Sequence, residues 1–212
     1  MPKTTVDDLD INYIVKGQGE PLLMMIGLSL SLLDWGYKLP DLLSQHYQLI
    51  LFDNRDAGET SQSDKPYTIE QMATDAAGLL DALGIHKAHV FGVSMGGMIA
   101  QHFALNHADK LNKLILGCTM AGGSCSQIGA VGSFLGGDLL KLLFTPDFIQ
   151  HHQAELDLFF QATHPYHSTG GALMRQINAM SGHDTCDVLG KITAPTLVIT
   201  GDSDHVIPPG KQ

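Results

Sequence analysis

The sequence predicts an α/β protein built on a mostly parallel, twisted sheet and interrupted by one long helical insertion. Three observations predict it. Short apolar runs such as PLLMMIG (21–27) end in glycine or in a polar loop, as strands buried on both faces do. Helix-period stretches alternate with these runs, which is how parallel strands are connected. Between about residue 118 and residue 190 no strand-like run occurs.

Taken in order, LDINYIVKG alternates apolar and polar residues, as expected of a half-buried strand at the start of a sheet. PLLMMIG and the YQLILF of YQLILFDNRDAG are buried strands, the latter followed by a polar, glycine-containing loop. Thr68 with Gln71 three positions on is a capping-box pattern. Behind it Met72, Ala76, Leu79, Leu80 and Leu83 share one helical face, and Gly84 ends the helix. AHVFGV is the next strand, SMGGMIAQHFALNH a helix and KLNKLILG a strand. Gly122, Gly123, Gly129, Gly132, Gly136 and Gly137 then loosen the chain before LLKLLF, ELDLFFQA and GALMRQINAM, which have helical character. APTLVITGDSDHVIPP resumes the pattern with a buried strand and an acidic loop. The expected organisation is a first core part at 1–117, a helical cap at 118–190 and a resumed core at 191–212.

With 212 residues, 44% of them hydrophobic, the chain can bury the core of one domain. A net charge of −10 with only 12 scattered Lys and Arg excludes a nucleic-acid binder, whose affinity comes from basic side chains on phosphates. Cys118, Cys125 and Cys186 are odd in number and lack CxxC spacing, so neither a disulfide framework nor a zinc site is expected. His164 and His167 flank a proline and lack a third ligand, so no metal is assigned to them either. The N-terminus has no apolar signal core, and no stretch approaches the roughly 20 apolar residues that span a bilayer. A cytoplasmic protein without membrane contact is expected.

Chemistry concentrates at Gly92-Val93-Ser94-Met95-Gly96, a G-x-S-x-G between a predicted strand and a predicted helix. That context is what a nucleophile elbow requires. The sharp turn lifts a serine hydroxyl above the sheet, and side chains at Gly92 or Gly96 would collide with neighbouring elements. The helix N-terminus offers free N–H groups where an oxyanion develops. A second donor is expected from the loop after PLLMMI, in GLSLSLLDW, where Gly27 turns the chain. The Leu28 and Met95 amides are therefore the candidate oxyanion hole, and Ser94 is the candidate nucleophile.

On these motifs the chain resembles the α/β-hydrolase superfamily over essentially its whole length. YTIEQMATDAAGLLDALGIHKAHVFGVSMGGMIAQHFAL is similar to small esterases and enol-lactonases, and LLMMIGLSLSLLDW with FDNRDAG is similar to the methylesterase-type branch. The resemblance implies an α/β-hydrolase fold and a Ser–Asp–His triad. Its acid motif, G-x-x-D-x-x-x-P, is matched by Gly201, Asp204 and Pro208, which makes Asp204 the acid and leaves Asp202 to shape the turn. In this family a helix, a strand and a histidine-bearing loop follow, needing on the order of 25 residues. Eight residues follow Asp204. The expectation is thus a chain truncated before its last helix and strand, with the catalytic histidine beyond it. His205 adjoins Asp204 but points elsewhere in an extended loop, and His151, His152, His164, His167 and His183 are read as ordinary polar or pocket residues.

The leading functional reading is a cofactor-free serine hydrolase cleaving a small ester or lactone. Perhydrolase or haloperoxidase chemistry uses the same triad, and a non-catalytic hydrolase-fold binding protein is the reading from a different class. An aspartate nucleophile, which the epoxide-hydrolase and dehalogenase versions need, is replaced here by serine. Finally, TLVIT (196–200) has no charge, and the prolines at 195, 208 and 209 do not guard its length, so self-association through that edge is expected.

Overall fold

The computed structural model describes residues 1–126 and 139–208. Gly129, Gly132, Gly136, Gly137 and Pro209 lie outside the described residues. Seven strands form one sheet: β1 (Lys3–Val6), β2 (Leu9–Lys16), β3 (Glu20–Met25), β4 (Tyr47–Phe52), β5 (Ala88–Val93), β6 (Leu111–Gly117) and β7 (Thr196–Ile199). Their order is β1-β2-β4-β3-β5-β6-β7. The pairs β1–β2 and β2–β4 are antiparallel, and every other pair is parallel. β1 was not expected from the polar N-terminus. It forms because Val6 turns inward beside β2 while its polar residues face out.

The period of two along β3 divides its side chains between two cores. Leu23 and Met25 join the apolar faces of α2 (Ile69–Ala82) and α3 (Met95–Asn106). Leu22 and Met24 face the other way, against Leu32, Trp35 and Leu43, the last of which belongs to α1 (Lys38–Leu43). Thr68 Oγ1 accepts the Gln71 N–H, but the Gln71 side chain reaches forward to Asp75, so the reciprocal half of the capping box is not made. Gly84, at φ +69°, ends α2 in the left-handed region as expected.

The buried character expected of TLVIT is not met. Leu197, Val198 and Ile199 are 54%, 52% and 46% exposed. Among the described residues β7 pairs only with β6, and no described helix covers it. An apolar groove runs from there along the sheet face past Ile115, Phe91, Leu22 and Tyr47. No helix among the described residues is long and apolar enough to cross a membrane.

Between β6 and β7 the described chain is helical: α4 (Leu139–Leu143), α5 (Pro146–Thr163) and α6 (Gly170–Ser181). The two ends of this stretch are tied together. Gly122 bridges Asp184, and the Thr185 N–H donates to the Ala121 carbonyl at 2.7 Å. Gln101 of α3 donates to the Met120 carbonyl and accepts from the Thr185 hydroxyl. Cys125 and Cys186 form a disulfide with Cα atoms 5.6 Å apart, contrary to the sequence reading. Their separation of 61 residues gave no spacing signal; the Gly122–Asp184 bridge brings them together.

Beside this neck His183 is buried, with Nε2 3.1 Å from the Met120 carbonyl and Nδ1 3.3 Å from Nε2 of His102. Nε2–H of neutral His183 donates to that carbonyl, so its bare Nδ1 accepts from His102. Burial pushes His183 down to about 4, and burial also lowers His102. A histidine depressed in the folded state is fully stabilising above its unfolded value of about 6.5. That contribution is lost as pH falls from there to about 4, because the unfolded chain takes up a proton the folded chain excludes. The loss is about 3 kcal/mol in that window. Urea titrations from pH 8 to pH 4 should show a shallower pH dependence for His183→Asn than for the wild type.

Candidate active site

Ser94 stands at the turn from β5 into α3 with φ +56° and ψ −123°, a backbone conformation that costs a non-glycine residue about 1–3 kcal/mol. The turn is held from several sides. The Ser94 N–H donates to the Gly117 carbonyl at 2.9 Å, and its carbonyl accepts from the Gly97 N–H at 2.9 Å and the Thr119 hydroxyl at 2.8 Å. A methyl group on Gly96 would collide with the Met25 carbonyl oxygen, and one on Gly92 with the Gly96 carbonyl. The serine hydroxyl is bonded to no other described residue.

β3 and β5 run parallel with Met25 opposite Gly92, so Gly27 comes alongside Ser94. A Cβ built on Gly27 would stand 3.6 Å from Ser94 Oγ. Leu28 and Met95, the two residues whose amides were singled out, are both buried. Neither amide donates to a described residue.

The loop carrying Leu28 is fastened by residues that the sequence reading treated only as a polar loop. Asp53, Asn54, Arg55 and Asp56 are all buried. Asn54 Nδ2 donates to the Ile26 carbonyl at 3.1 Å, and Asp53 accepts from the Leu32 N–H at 2.7 Å. Burial pushes the Asp53 carboxyl up, against the pull of the Leu32, Asn12 and Glu59 donors. Arg55 pairs with Asp75 through two bonds of 2.5 and 2.6 Å. Asp56 meets Arg175 of α6 at 2.7 and 2.9 Å and the Tyr67 hydroxyl at 2.8 Å. Burial alone would raise Asp56; Arg175, Tyr67 and the Ser63 N–H hold it below the usual carboxylate range.

Asp204 lies in the loop after β7, where its Oδ1 accepts from the Val206 and Ile207 amides at 2.9 and 2.8 Å. Cys118, just past β6, lies against it; burial raises the thiol and the Asp204 charge raises it further. Cys118 N–H donates to the Ile199 carbonyl as Ser94 N–H does to Gly117. Ser94 follows β5 and Asp204 follows β7, so both lie at the same end of the parallel strands, with β6 between them. No described histidine hydrogen-bonds either of them. His102 and His183 face each other, His167 is paired with buried Asp34 at 2.8 Å, His164 packs its ring against His167, and His205 is exposed.

Gly96→Ala should destabilise the chain by more than about 3 kcal/mol, since the contact is with backbone on both sides. Gly84→Ala, where no atom lies within 4 Å of the added Cβ and only φ is unfavourable, should cost about 1 kcal/mol. Urea unfolding of the two variants checks both values.

The family model described as alpha/beta hydrolase fold matches residues 20–136. A putative carbamate hydrolase RutD of Azorhizobium caulinodans is 27% identical over 98% of this chain and 82% of its own length. The crystal structure of an enol-lactonase from Burkholderia xenovorans LB400 superposes with a TM-score of 0.85 at 26% identity, covering 99% of this chain and 85% of that one. A thermophilic esterase from Thermogutta terrifontis gives 0.81 at 26% identity, covering 99% and 83%. With its strand order, its serine turn and this match over more than half its length, the chain belongs to the α/β-hydrolase fold family.

Proposed function

We propose that this chain carries the nucleophile, oxyanion donors and acid of a serine hydrolase for small carboxylic esters or lactones. The observation that carries the reading is Ser94, held at positive φ at the N-terminus of α3 beside two unengaged main-chain donors. Ser94 Oγ attacks the substrate carbonyl while its proton passes to a histidine oriented by Asp204. The Leu28 and Met95 N–H groups hold the oxyanion. Collapse of the tetrahedral intermediate expels the alcohol, or opens the lactone ring, and leaves an acyl-serine that water hydrolyses. The base proposed is a histidine beyond residue 212, since no described histidine hydrogen-bonds Ser94 or Asp204. Residues 118–190 are proposed as the cap over this site. The enol-lactonase and the esterase among the similar structures support the substrate class. The reaction as drawn draws on no metal or cofactor.

The lack of a described histidine at Ser94 favours one second reading, a hydrolase-fold binding protein without turnover. Perhydrolase chemistry would show as peroxide-dependent halogenation. A fluorophosphonate probe should label Ser94, and Ser94→Ala should remove the label. The 212-residue chain should hydrolyse p-nitrophenyl acetate about 10³-fold or more slowly than a version lengthened through a histidine-bearing loop. Equal rates that Ser94→Ala abolishes in both would assign the base to an internal histidine. No labelling of either would favour the binding reading.

We also propose that β7 pairs with β7 of a second copy, because its free backbone edge and its exposed Leu197 and Val198 offer a self-complementary strand. Light scattering at high micromolar concentration should show association in the 212-residue chain. Val198→Lys should return it to monomer; a wild-type monomer would refute the pairing.

A further inference from the structure

An oxyanion donor is effective only if the peptide bearing it is already in place when charge develops. The Leu28 peptide is followed by Ser29, a non-glycine residue at φ +69° whose main chain has no strand or helix to hold it. Both of its polar backbone groups are instead taken by the helical stretch between β6 and β7. The Ser29 N–H donates to Gln176 Oε1 at 2.8 Å, and the Ser29 carbonyl accepts from the Ser168 N–H at 2.8 Å. Gln176 lies on α6 and is 0% exposed. Its other amide atom, Nε2, donates to the Arg55 carbonyl at 2.9 Å. One buried side chain thus joins α6 to the loop after β3 and to the loop after β4, with each end of its amide used once.

We infer that Gln176 is a positioning residue, fixing the Ser29 peptide so that the preceding Leu28 N–H stays aimed beside Ser94. This rests on the reading of Leu28 as an oxyanion donor. On the upstream side the same loop is anchored by Asn54 on the Ile26 carbonyl and by β3 itself. Downstream, Asp53 holds the Leu32 N–H, Ser168 holds the Ser29 carbonyl, and Gln176 of α6 holds the Ser29 N–H next to the donor peptide. Undocking α6 would release the last of these bonds. Arg175, the neighbouring residue, supplies the docking through its two bonds to Asp56. Gln176 converts that docking into geometry at the serine.

The test is Gln176→Met, which keeps the length of the side chain and removes both hydrogen bonds. Two readouts are taken on the 212-residue chain and on the lengthened version. Turnover of p-nitrophenyl acetate should lose about 10- to 100-fold in kcat, part of what deleting a whole oxyanion donor costs, with KM within about twofold. Hydrogen exchange of the peptide covering 26–33 should speed up at least about tenfold. Leu79→Ala, a buried change in α2, serves as the stability control and should leave both readouts in place at temperatures where it remains folded. Unchanged exchange in 26–33 would overturn the anchor. Faster exchange with unchanged kcat would overturn the positioning role. If the wild type shows no Ser94-dependent turnover, the hydrolase reading fails, and the exchange rates alone still decide the anchor.

Discussion

Between the first turn of α3 and the end of β3 there is room for a hydrogen atom and nothing larger. A methyl group at Gly96 would overlap the Met25 carbonyl, and at Gly92 it would overlap the first turn itself. Close packing of this kind fixes several things at once. It brings Gly27 against Ser94, it forces the serine into a left-handed backbone, and it leaves the amides at the helix start without helical partners. The strain at Ser94 persists because Gly117, Gly97 and Thr119 over-determine the turn. Rigid placement of a nucleophile thus follows from strand register and missing side chains more than from any attraction at the serine.

A second layer of order comes from buried charge. Asp53, Arg55 and Asp56 follow one another in sequence yet face three different environments. Asp53 is satisfied by main-chain and amide donors, Arg55 by a carboxylate on α2, and Asp56 by an arginine on α6 and a phenol. The partners of Arg55 and Asp56 outweigh the desolvation of those charges, whereas at Asp53 desolvation prevails over its neutral donors. Removing Asp75 or Arg175 would leave a charge buried alone. The result is a polar clamp that ties β2, the loop after β3, α2 and α6 to one short segment. Loops at the ends of parallel strands gain definition in this way without entering the hydrophobic core.

Much of this was legible in the sequence wherever the signal is local. The parallel strands, α2 with its cap and terminating glycine, and the serine turn each declare themselves within a dozen residues. The match of Gly27 to Ser94 could be expected because both motifs end neighbouring strands. What remained hidden depends on partners far along the chain. FDNRDAG looks like a solvated loop because nothing in it shows that Asn12, Asp75 and Arg175 converge on it. Gln176 is one polar residue in an amphipathic helix, and its full burial arises from two loops more than a hundred residues away. Cys125 and Cys186 carried no spacing signal for the same reason. β7 misled in the opposite sense: its composition is that of a buried strand, but burial also needs neighbours, and those are a property of the sheet.

The disulfide at the neck makes the polypeptide between Cys125 and Cys186 a covalent ring attached to the sheet at one point. Closing a ring of that size removes about 4 kcal/mol worth of disorder from the unfolded chain. It also changes what a backbone cut means. A protease that nicks any exposed turn within the ring, such as the one between α5 and α6, leaves both pieces tethered, and the nicked stretch stays at the site at high effective concentration. The same cut in a thiol-rich setting would leave the pieces held by non-covalent contacts alone: the hydrogen bonds of the neck, those of α6 to Asp56, Ser29 and Arg55, and the β6–β7 ladder. Tolerance of this stretch to cleavage is therefore set by the redox poise of its surroundings, a property of the milieu written into the protein by two cysteines.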